Sequence, residues 1–317
     1  MILRYTVPAE EEGRTLKSVL RSTLRLSATQ MRRLKAADAF LVNGDPVHAD
    51  RLLRQGDALT LPMTEPEPAF PPEEGPLTVL FEDEHLLAVD KPRGLILHPT
   101  HSRFTGTLAN LAWGHIRAAG GDGCHAVNRL DRDTGGVVLF AKNAWACSRM
   151  AGAVEDKRYF AAVCGVPEAA EGSIGLPIRR LSERDMKRVC APDGQSARTD
   201  WRLLVSREGL SLLELKLYTG RTHQIRVHCA AMGWPLLGDR LYGNEASLAR
   251  STALGQEMQA LWCCRMVFRH PTDDRRVILT ARPEDAVLAF FDAGIGTETC
   301  TGAGIEPDVG FDAESDT

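Results

Sequence analysis

The sequence lacks several patterns that would assign the protein to a common class. No run approaches the roughly 18 uninterrupted apolar residues of a membrane helix, and the first five residues lack the basic-then-apolar pattern of a signal peptide. We therefore expect a cytoplasmic protein without a membrane partner. No internal repeat, glycine-rich dinucleotide or phosphate fingerprint, or serine nucleophile elbow is visible. We accordingly expect no cofactor.

Cysteine is present but shows no metal-binding pattern. The eight cysteines are scattered, and no C-x-x-C pair stands with a second pair or with two histidines at metal spacing. We interpret them as reduced, mostly buried small hydrophobic residues. His223 and His228 are five residues apart and lack a carboxylate at the usual spacing, so we expect no metal site.

Charge is unevenly distributed along the chain. The 317 residues, 44% hydrophobic and 25% charged, suit one large core with a smaller satellite domain. The net charge is −4, yet residues 14–54 hold nine Lys and Arg against three acids, and seven acids beyond residue 291 face no basic residue. A local basic face indicates nucleic-acid binding. A merely solvated surface is the alternative interpretation.

Residues 1–64 have the pattern of a small α/β RNA-binding domain. Apolar residues at helical spacing predict a helix over 14–24, and Ser27 is a good N-cap for a second helix. Short strands joined by tight turns follow at 39–42 and 57–61. Two helices with basic residues on a small sheet would form a compact RNA-binding module.

A proline-rich and glutamate-rich run separates this unit from a larger one. Residues 65–76 suit an extended linker that is too polar and proline-rich to pack. From Leu77 to residue 293 the pattern is β-rich with a few helices, which predicts an α+β fold with a mixed, mostly antiparallel sheet. We expect residues 294–317 to be a disordered acidic tail. The predicted strands are 77–81, 86–90, 137–141, 159–163, 201–205, 210–217 and 277–280, and the predicted helices lie near 107–118, 143–154, 222–232 and 283–291.

A first group of polar residues lies where a loop enters a buried strand. Residues 128–136 read N-R-L-D-R-D-T-G-G and run directly into V-V-L-F-A-K. Such a loop places its side chains at the rim of the core, where catalytic groups are held rigidly. An ordinary surface loop is equally compatible with the composition.

A second group reads T-G-R-T-H-Q-I-R-V-H from residue 219. Thr222 is a candidate cap for a helix whose apolar stripe holds Ile225, Cys229 and Met232. Arg226 flanks this stripe, so we expect a partly desolvated guanidinium. Because an unpaired buried charge is costly, Arg226 needs an anionic partner.

These two groups, together with K-R-Y-F-A-A-V-C-G at 157–165 and G-W-P-L-L-G-D-R-L-Y-G at 233–243, resemble the ordered signatures of RluA-type pseudouridine synthases. The segment 82–99 is similar to the opening segment of that family, and the resemblance covers about residues 77–283. Residues 13–62 resemble the RNA-binding domain named after small-subunit ribosomal protein four. The resemblance implies a pseudouridine synthase fold and an isomerase that converts uridine to pseudouridine in structured RNA.

The resemblance also implies roles for particular residues. Asp131 corresponds to the catalytic aspartate, Tyr159 to the active-site tyrosine and Arg226 to the basic partner of the aspartate. A guanidinium within about 4–6 Å favours the ionised form of a carboxylate in a closed site. The tyrosine ring would stack on the extruded base, and its phenol would accept a proton late in the reaction. An inward-facing β residue is the alternative reading of Tyr159.

We expect ribosomal RNA, especially that of the large subunit, or transfer RNA as the partner of a monomer. The further candidates for substrate binding are Arg129, Arg221, His223, Gln224, Arg32, Arg33 and Lys35.

The sequence departs from the family pattern at three places. Asn128 stands where histidine is common, Gly135 where serine is common, and Leu261-Trp262-Cys263 where L-H-A is common. These departures weaken any transfer of substrate identity. They also motivate an alternative, a non-catalytic RNA-binding or ribosome-assembly factor that retains the fold. A hydrolase or metalloenzyme built on the histidines is a weaker third interpretation.

Overall fold

A computed structural model of the chain describes residues 2–63, 65, 67–100, 102–183, 185–283 and 289–291. The predicted tail at 294–317 lies outside these residues, as does most of the helix predicted at 283–291. No helix in the described ranges combines the length and apolar character needed to cross a bilayer.

The first 62 residues form a small sheet with two helices. The elements are β1 (Ile2–Thr6), a 3-10 helix (Ala9–Glu11), α1 (Leu16–Ser22), α2 (Ala28–Ala36), β2 (Leu41–Val42), β3 (Asp45–Pro46) and β4 (Ala58–Pro62). The strands lie in the antiparallel order β1-β4-β2-β3. Ser27 caps α2 as predicted, because its side chain accepts from Gln30 N and the Gln30 side chain accepts from Ser27 N.

The rest of the described chain is organised around one large sheet. Its elements are β5 (Thr78–Glu82), β6 (Leu86–Lys91), α3 (Leu108–Ala118), β7 (His125–Ala126), β8 (Gly135–Ala141), α4 (Ala144–Met150), β9 (Val154–Cys164), β10 (Glu171–Ile174), β11 (Ile178–Arg180), β12 (Arg188–Cys190), β13 (Thr199–Arg207), β14 (Leu210–Leu217), α5 (Gln224–Ala231), α6 (Glu245–Ala253), β15 (Leu261–Arg269) and β16 (Arg276–Thr280).

The strand order across this sheet is β10-β13-β14-β9-β15-β8-β6-β5, with β16 paired to β15 and β7 paired to β8. The β15–β8 pair is parallel, and the other pairs that the structure describes in this sheet are antiparallel. β11 and β12 form a separate hairpin. The predicted α+β class with a mixed, mostly antiparallel sheet is therefore confirmed.

Several elements were missed by the sequence analysis. The most consequential is β15, a central strand whose continuous apolar run has no alternation and so cannot be told from a buried helix by periodicity. The strand β1, the β11–β12 hairpin, β7, β10 and the helix α6 were also missed. The helix predicted at 143–154 ends at Met150, and Gly152 adopts φ +85° in the turn before β9.

The linker packs more closely than predicted. The Glu65 side chain is 1% exposed, and its Oε1 accepts a hydrogen bond from Ala144 N at 2.7 Å, at the start of α4. Glu73 accepts from Gly106 N at 2.9 Å, and Glu73 N donates to Asn110 O on α3. The expectation that this run is too polar to pack was wrong, because its carboxylates bind backbone N–H groups near helix starts.

The small sheet and the large one are joined by direct contacts. Trp145 on α4 is buried, and its Nε1 donates to Leu24 O at 3.0 Å. Arg149 Nη1 donates to Thr23 O at 2.9 Å. Buried apolar residues of both units belong to one continuous cluster. The carbonyls that end α1 are thereby satisfied by side chains of α4.

Candidate active site

The loop that carries Asp131 is held against the buried strand β8. Asn128 Nδ2 donates to Val137 O at 3.0 Å, and Asn128 Oδ1 accepts from Leu139 N at 2.8 Å. Asn128 therefore serves as a buried anchor of the loop, and the rim position predicted for this loop is confirmed. The Asp131 side chain remains 29% exposed and lines a small pocket of about 60 Å³.

Two buried groups support the same loop from below. Lys91 is fully buried, and its Nζ donates to Arg132 O at 2.7 Å and to Pro92 O at 2.9 Å. Burial lowers the pKa of Lys91 to about 8. Gln259 Nε2 donates to Thr134 Oγ1 at 2.7 Å. The main chain around Asp131 is thus fixed by long-range hydrogen bonds that the sequence analysis did not identify.

Arg226 on α5 connects the two motifs. Its Nη1 lies 3.1 Å from Asp131 Oδ2, which supplies the anionic partner that we expected. The guanidinium also forms a bidentate pair with Asp239, with Nε–Oδ2 at 2.7 Å and Nη2–Oδ1 at 2.8 Å. Burial lowers the pKa of Arg226, but its hydrogen bonds and charge pairing with Asp239, and then with Asp131, outweigh this and raise it overall. The guanidinium therefore stays charged beside Asp131.

Asp239 was not identified from the sequence as a site residue. It is 1% exposed, and its Oδ1 also accepts from Leu241 N at 3.0 Å and Tyr242 N at 3.2 Å. An aspartate that accepts from its own backbone two and three residues ahead is typical of a turn. The G-D-R-L-Y-G segment was the available signal, but only the fold shows that its carboxylate faces Arg226.

The start of α5 differs from the prediction. His223 occupies the N-cap position with φ +59° and makes no side-chain cap, so the cap predicted at Thr222 was wrong. Met232 follows the helix and is 41% exposed, so it does not continue the buried stripe. Gln224 instead organises this turn, because its Oε1 accepts from Thr219 Oγ1 and Arg221 N.

The amide of Gln224 is fully engaged within the protein. Its Nε2 donates to Arg198 O and to Thr199 Oγ1, each at 3.0 Å. These contacts indicate a positioning role for Gln224. Direct contact with RNA remains a prediction, although the residue lines the pocket.

Tyr159 lies on β9 and lines the same pocket as Asp131 and Arg226. The strand pairs with β15 through Cys263 and with β14 through Leu215, so the tyrosine is buried in the middle of the sheet. Burial raises the pKa of Tyr159 well above its ordinary value. The phenol is therefore neutral, which favours the predicted ring contact over proton acceptance.

His223 links the pocket to Tyr242. Its Nδ1 is 2.9 Å from Tyr242 Oη, and its Nε2 is 3.8 Å from Asp131 Oδ2. Burial lowers the pKa of His223, against an opposing contribution from Asp131. At neutral pH the ring is therefore mostly uncharged and available for hydrogen bonding.

The other predicted site residues divide into two groups. Arg129 and Arg221 line the pocket. The exposed side chains of Arg32, Arg33 and Lys35 lie on α2 and are not among the described residues that line it.

The histidines once considered for metal binding have other partners. His228 is buried between Thr199 Oγ1 at 2.9 Å and Leu176 O at 2.8 Å. Within the ranges that the structure describes, no group of three or more His, Cys, Asp or Glu is arranged to hold a metal ion.

Comparisons with known proteins agree with this geometry. A family model described as RNA pseudouridylate synthase matches residues 85–231. The RNA pseudouridine synthase YhcT of Bacillus subtilis, itself uncharacterized, is 36% identical over 294 residues, which cover 88% of this chain and 93% of that protein. Ribosomal large subunit pseudouridine synthase D of Zymomonas mobilis is 36% identical over 249 residues, covering 74% and 78%. The protein of the same name from Xanthomonas campestris is 33% identical over 299 residues, covering 88% of each.

Solved structures show the same fold. Human RNA pseudouridylate synthase domain containing 1 superposes with a TM-score of 0.54 at 24% identity, covering 67% of this chain and 86% of that one. Human RNA pseudouridylate synthase domain containing 4 gives a TM-score of 0.52 at 23% identity. With sequence relatives that align over nearly their whole lengths, the chain belongs to the RNA pseudouridine synthase family, whose members are isomerases.

Proposed function

We propose that this enzyme converts specific uridines to pseudouridine in large-subunit ribosomal RNA, with Asp131 as the catalytic carboxylate. The observation that carries the proposal is the 3.1 Å contact between Asp131 and Arg226 in a pocket also lined by Tyr159. The two relatives named for the ribosomal large subunit support the choice of RNA. Transfer RNA is the alternative substrate.

The chemistry asks little of the protein beyond one positioned carboxylate. The bond between C1′ of ribose and N1 of uracil breaks, the base rotates, and a bond forms between C1′ and C5. The proton on C5 leaves to solvent, and nothing is oxidised overall. Asp131 acts as nucleophile or base, Arg226 holds it ionised and oriented, and Tyr159 contacts the extruded base with its ring.

The target base must leave its helical stack before Asp131 can reach it, at a cost of a few kcal/mol. Binding energy from other parts of the RNA has to offset this cost. We assign this role to residues 1–64 as an RNA-binding domain similar to that of ribosomal protein four. Residues 65–76 then join it to a catalytic domain at 77–293.

The departures from the family pattern do not favour a non-catalytic role. Asn128 acts as a loop anchor, and Gly135 lies next to Trp262 on β15. Both leave the contact between Asp131 and Arg226 intact.

Tritium release from RNA labelled at C5 of uridine tests the assignment. We expect Asp131→Asn to bind RNA like the wild type but to lose at least about a hundredfold in rate, the usual contribution of a proton-transferring side chain. Asp133→Asn is the matched control, because Asp133 lies two residues away and pairs with the exposed Arg132. Full turnover by Asp131→Asn would refute the assignment. Mapping pseudouridine in RNA from cells with and without the gene tests the substrate.

A further inference from the structure

A second and larger concavity lies beside the pocket of Asp131. The β11–β12 hairpin and the turn before α5 enclose a groove of about 420 Å³, lined in part by Arg179, Arg180, Arg188 and Arg221. This volume falls within the roughly 300–1,000 Å³ of typical ligand sites. The groove can therefore hold a nucleotide-sized group.

The charge of this groove is strongly unbalanced. Its described lining contains four guanidinium groups and one carboxylate, Asp193. Asp193 pairs with Arg179, at 2.9 Å between Nε and Oδ1, and both side chains are exposed. An exposed pair of this kind contributes little binding energy and is easily exchanged. The groove therefore attracts anions.

Arg188 points to the chemistry of the missing partner. Its Nη1 is buried and has no hydrogen-bond acceptor among the described residues. A buried donor without an acceptor costs about 1–3 kcal/mol, and an anionic oxygen would remove that cost. Guanidinium groups bind phosphate oxygens through two parallel hydrogen bonds.

The groove is continuous with the candidate active site. Arg221 lines both the groove and the pocket of Asp131. Arg188 N donates to Tyr242 Oη at 2.8 Å, and that hydroxyl hydrogen-bonds His223 beside Asp131. A polymer with one residue in the pocket would place its neighbouring residues in the groove.

We propose that this groove binds backbone phosphates of the RNA strand that flanks the target uridine. The proposal rests on the proposed function for the identity of the polymer. Arg180, Arg188 and Arg221 contact phosphate oxygens, and Arg179 exchanges Asp193 for phosphate. The groove thereby fixes the strand and contributes part of the binding energy that extrudes the base.

The test measures RNA affinity against salt concentration, with large-subunit ribosomal RNA transcribed in vitro as the probe. Arg180→Gln combined with Arg188→Gln should weaken binding about tenfold or more. At roughly 0.7 in slope for each lost single-strand phosphate contact, the salt dependence should flatten by about 1.4. The single-turnover rate at saturating RNA should stay within about twofold of wild type.

Two further variants separate charge from folding. Arg188→Lys keeps the charge and should retain most of the salt slope. Arg207→Gln is the matched control, because Arg207 is exposed at the far end of β13. That end lies eight residues, or roughly 26 Å, from Thr199 near the site.

A salt slope for the double variant equal to that of Arg207→Gln would overturn the proposal. So would unchanged RNA binding with lost binding of polyglutamate, since this would identify the groove as a protein-binding surface. Because the binding readout needs no turnover, it is repeated in the Asp131→Asn background. Absence of tritium release by the wild type, with flattened slopes in the groove variant, would count against the proposed function alone.

Discussion

At the scale of single residues, the candidate site is organised around one guanidinium between two carboxylates. Asp239 is buried and also accepts from two backbone N–H groups. Asp131 is partly exposed and accepts from Arg226 through one nitrogen. The buried carboxylate orients Arg226, and the partly exposed one is left available to the substrate. This asymmetry explains how an aspartate stays ionised beside a guanidinium without being fully consumed by it.

Two of the departures from the family pattern are coupled in space. Gly135 and Trp262 are partners in the parallel β8–β15 pair. A Cβ at position 135 would lie 2.9 Å from Trp262 Cδ1 and 3.2 Å from Arg93 Cγ. The Arg93 guanidinium in turn lies 5.2 Å from the centre of the Trp262 ring. The missing side chain at 135 therefore makes room for the indole at 262.

A double-mutant cycle tests this coupling. We expect Gly135→Ser to lower the free energy of unfolding by about 1–3 kcal/mol, because it overpacks the site. Combined with Trp262→His, the loss should be smaller than the sum of the single losses by at least about 0.5 kcal/mol. Urea unfolding of the four proteins measures the cycle.

Gly136→Ser is the control for that cycle. Gly136 has φ +103°, and its Cβ would lie 2.2 Å from Cys263 O, so a smaller residue at 262 cannot relieve the strain. Its loss should be the same in the Trp262→His background. Additive losses for Gly135→Ser and Trp262→His would contradict the coupling.

At the scale of elements, the site depends on segments that meet only through the sheet. Tyr159 lies on β9, Asp131 precedes β8, and β15 lies between these two strands. The order β9-β15-β8 sets the spacing of the tyrosine and the aspartate. Because β15 is missing from the predicted strands, this spacing could not be derived from the sequence.

The turn between β5 and β6 is tied to the turn after β15 by one carboxylate. Asp83 Oδ1 accepts from His85 N and Leu86 N at 2.8 Å, and Oδ2 lies 2.6 Å from His270 Nε2. Burial raises the pKa of Asp83, but the hydrogen bonds from His270 and the backbone outweigh it and bring the pKa to about 2. A lowered folded-state pKa stabilises the protein above the ordinary value of 3.8.

This stabilisation should disappear as the pH falls from about 4 towards 2. We expect the wild type to lose roughly 2 kcal/mol over this interval through Asp83, and Asp83→Asn to show a correspondingly flatter dependence. Urea unfolding at a series of pH values measures it. Asp193→Asn, which removes a carboxylate that is 72% exposed, should follow the wild-type curve. Parallel curves for Asp83→Asn and the wild type would contradict the assignment.

At the scale of the whole molecule, two basic surfaces stand apart from the catalytic carboxylate. One is the groove next to the pocket, and the other is the exposed face of α2. The contacts of α4 with the end of α1 hold the small sheet against the large one. An RNA that reaches both surfaces would be bound over a distance while only one nucleoside enters the pocket.

Neutralising α2 should weaken binding without changing chemistry. We expect Arg32→Gln, Arg33→Gln and Lys35→Gln together to flatten the salt dependence of RNA affinity by up to about 2–3, at roughly 0.7–0.9 for each phosphate contact. The rate at saturating RNA should remain within about twofold. Arg117→Gln, which removes an exposed cation on α3, is the control. A wild-type slope in the triple variant would show that α2 is only a solvated face.

The sequence alone determined the α+β class, most strands of the large sheet, the two N-terminal helices, and the expectation that Arg226 needs an anion. These features depend on local periodicity, capping and the cost of burying a charge. Tertiary structure alone decided that Asp239 clamps Arg226, that His223 rather than Thr222 begins α5, that the linker packs, and that four arginines form a groove. Each of these depends on segments distant in sequence, as do the 95 residues that separate Asp131 from Arg226, and no local pattern encodes such an approach.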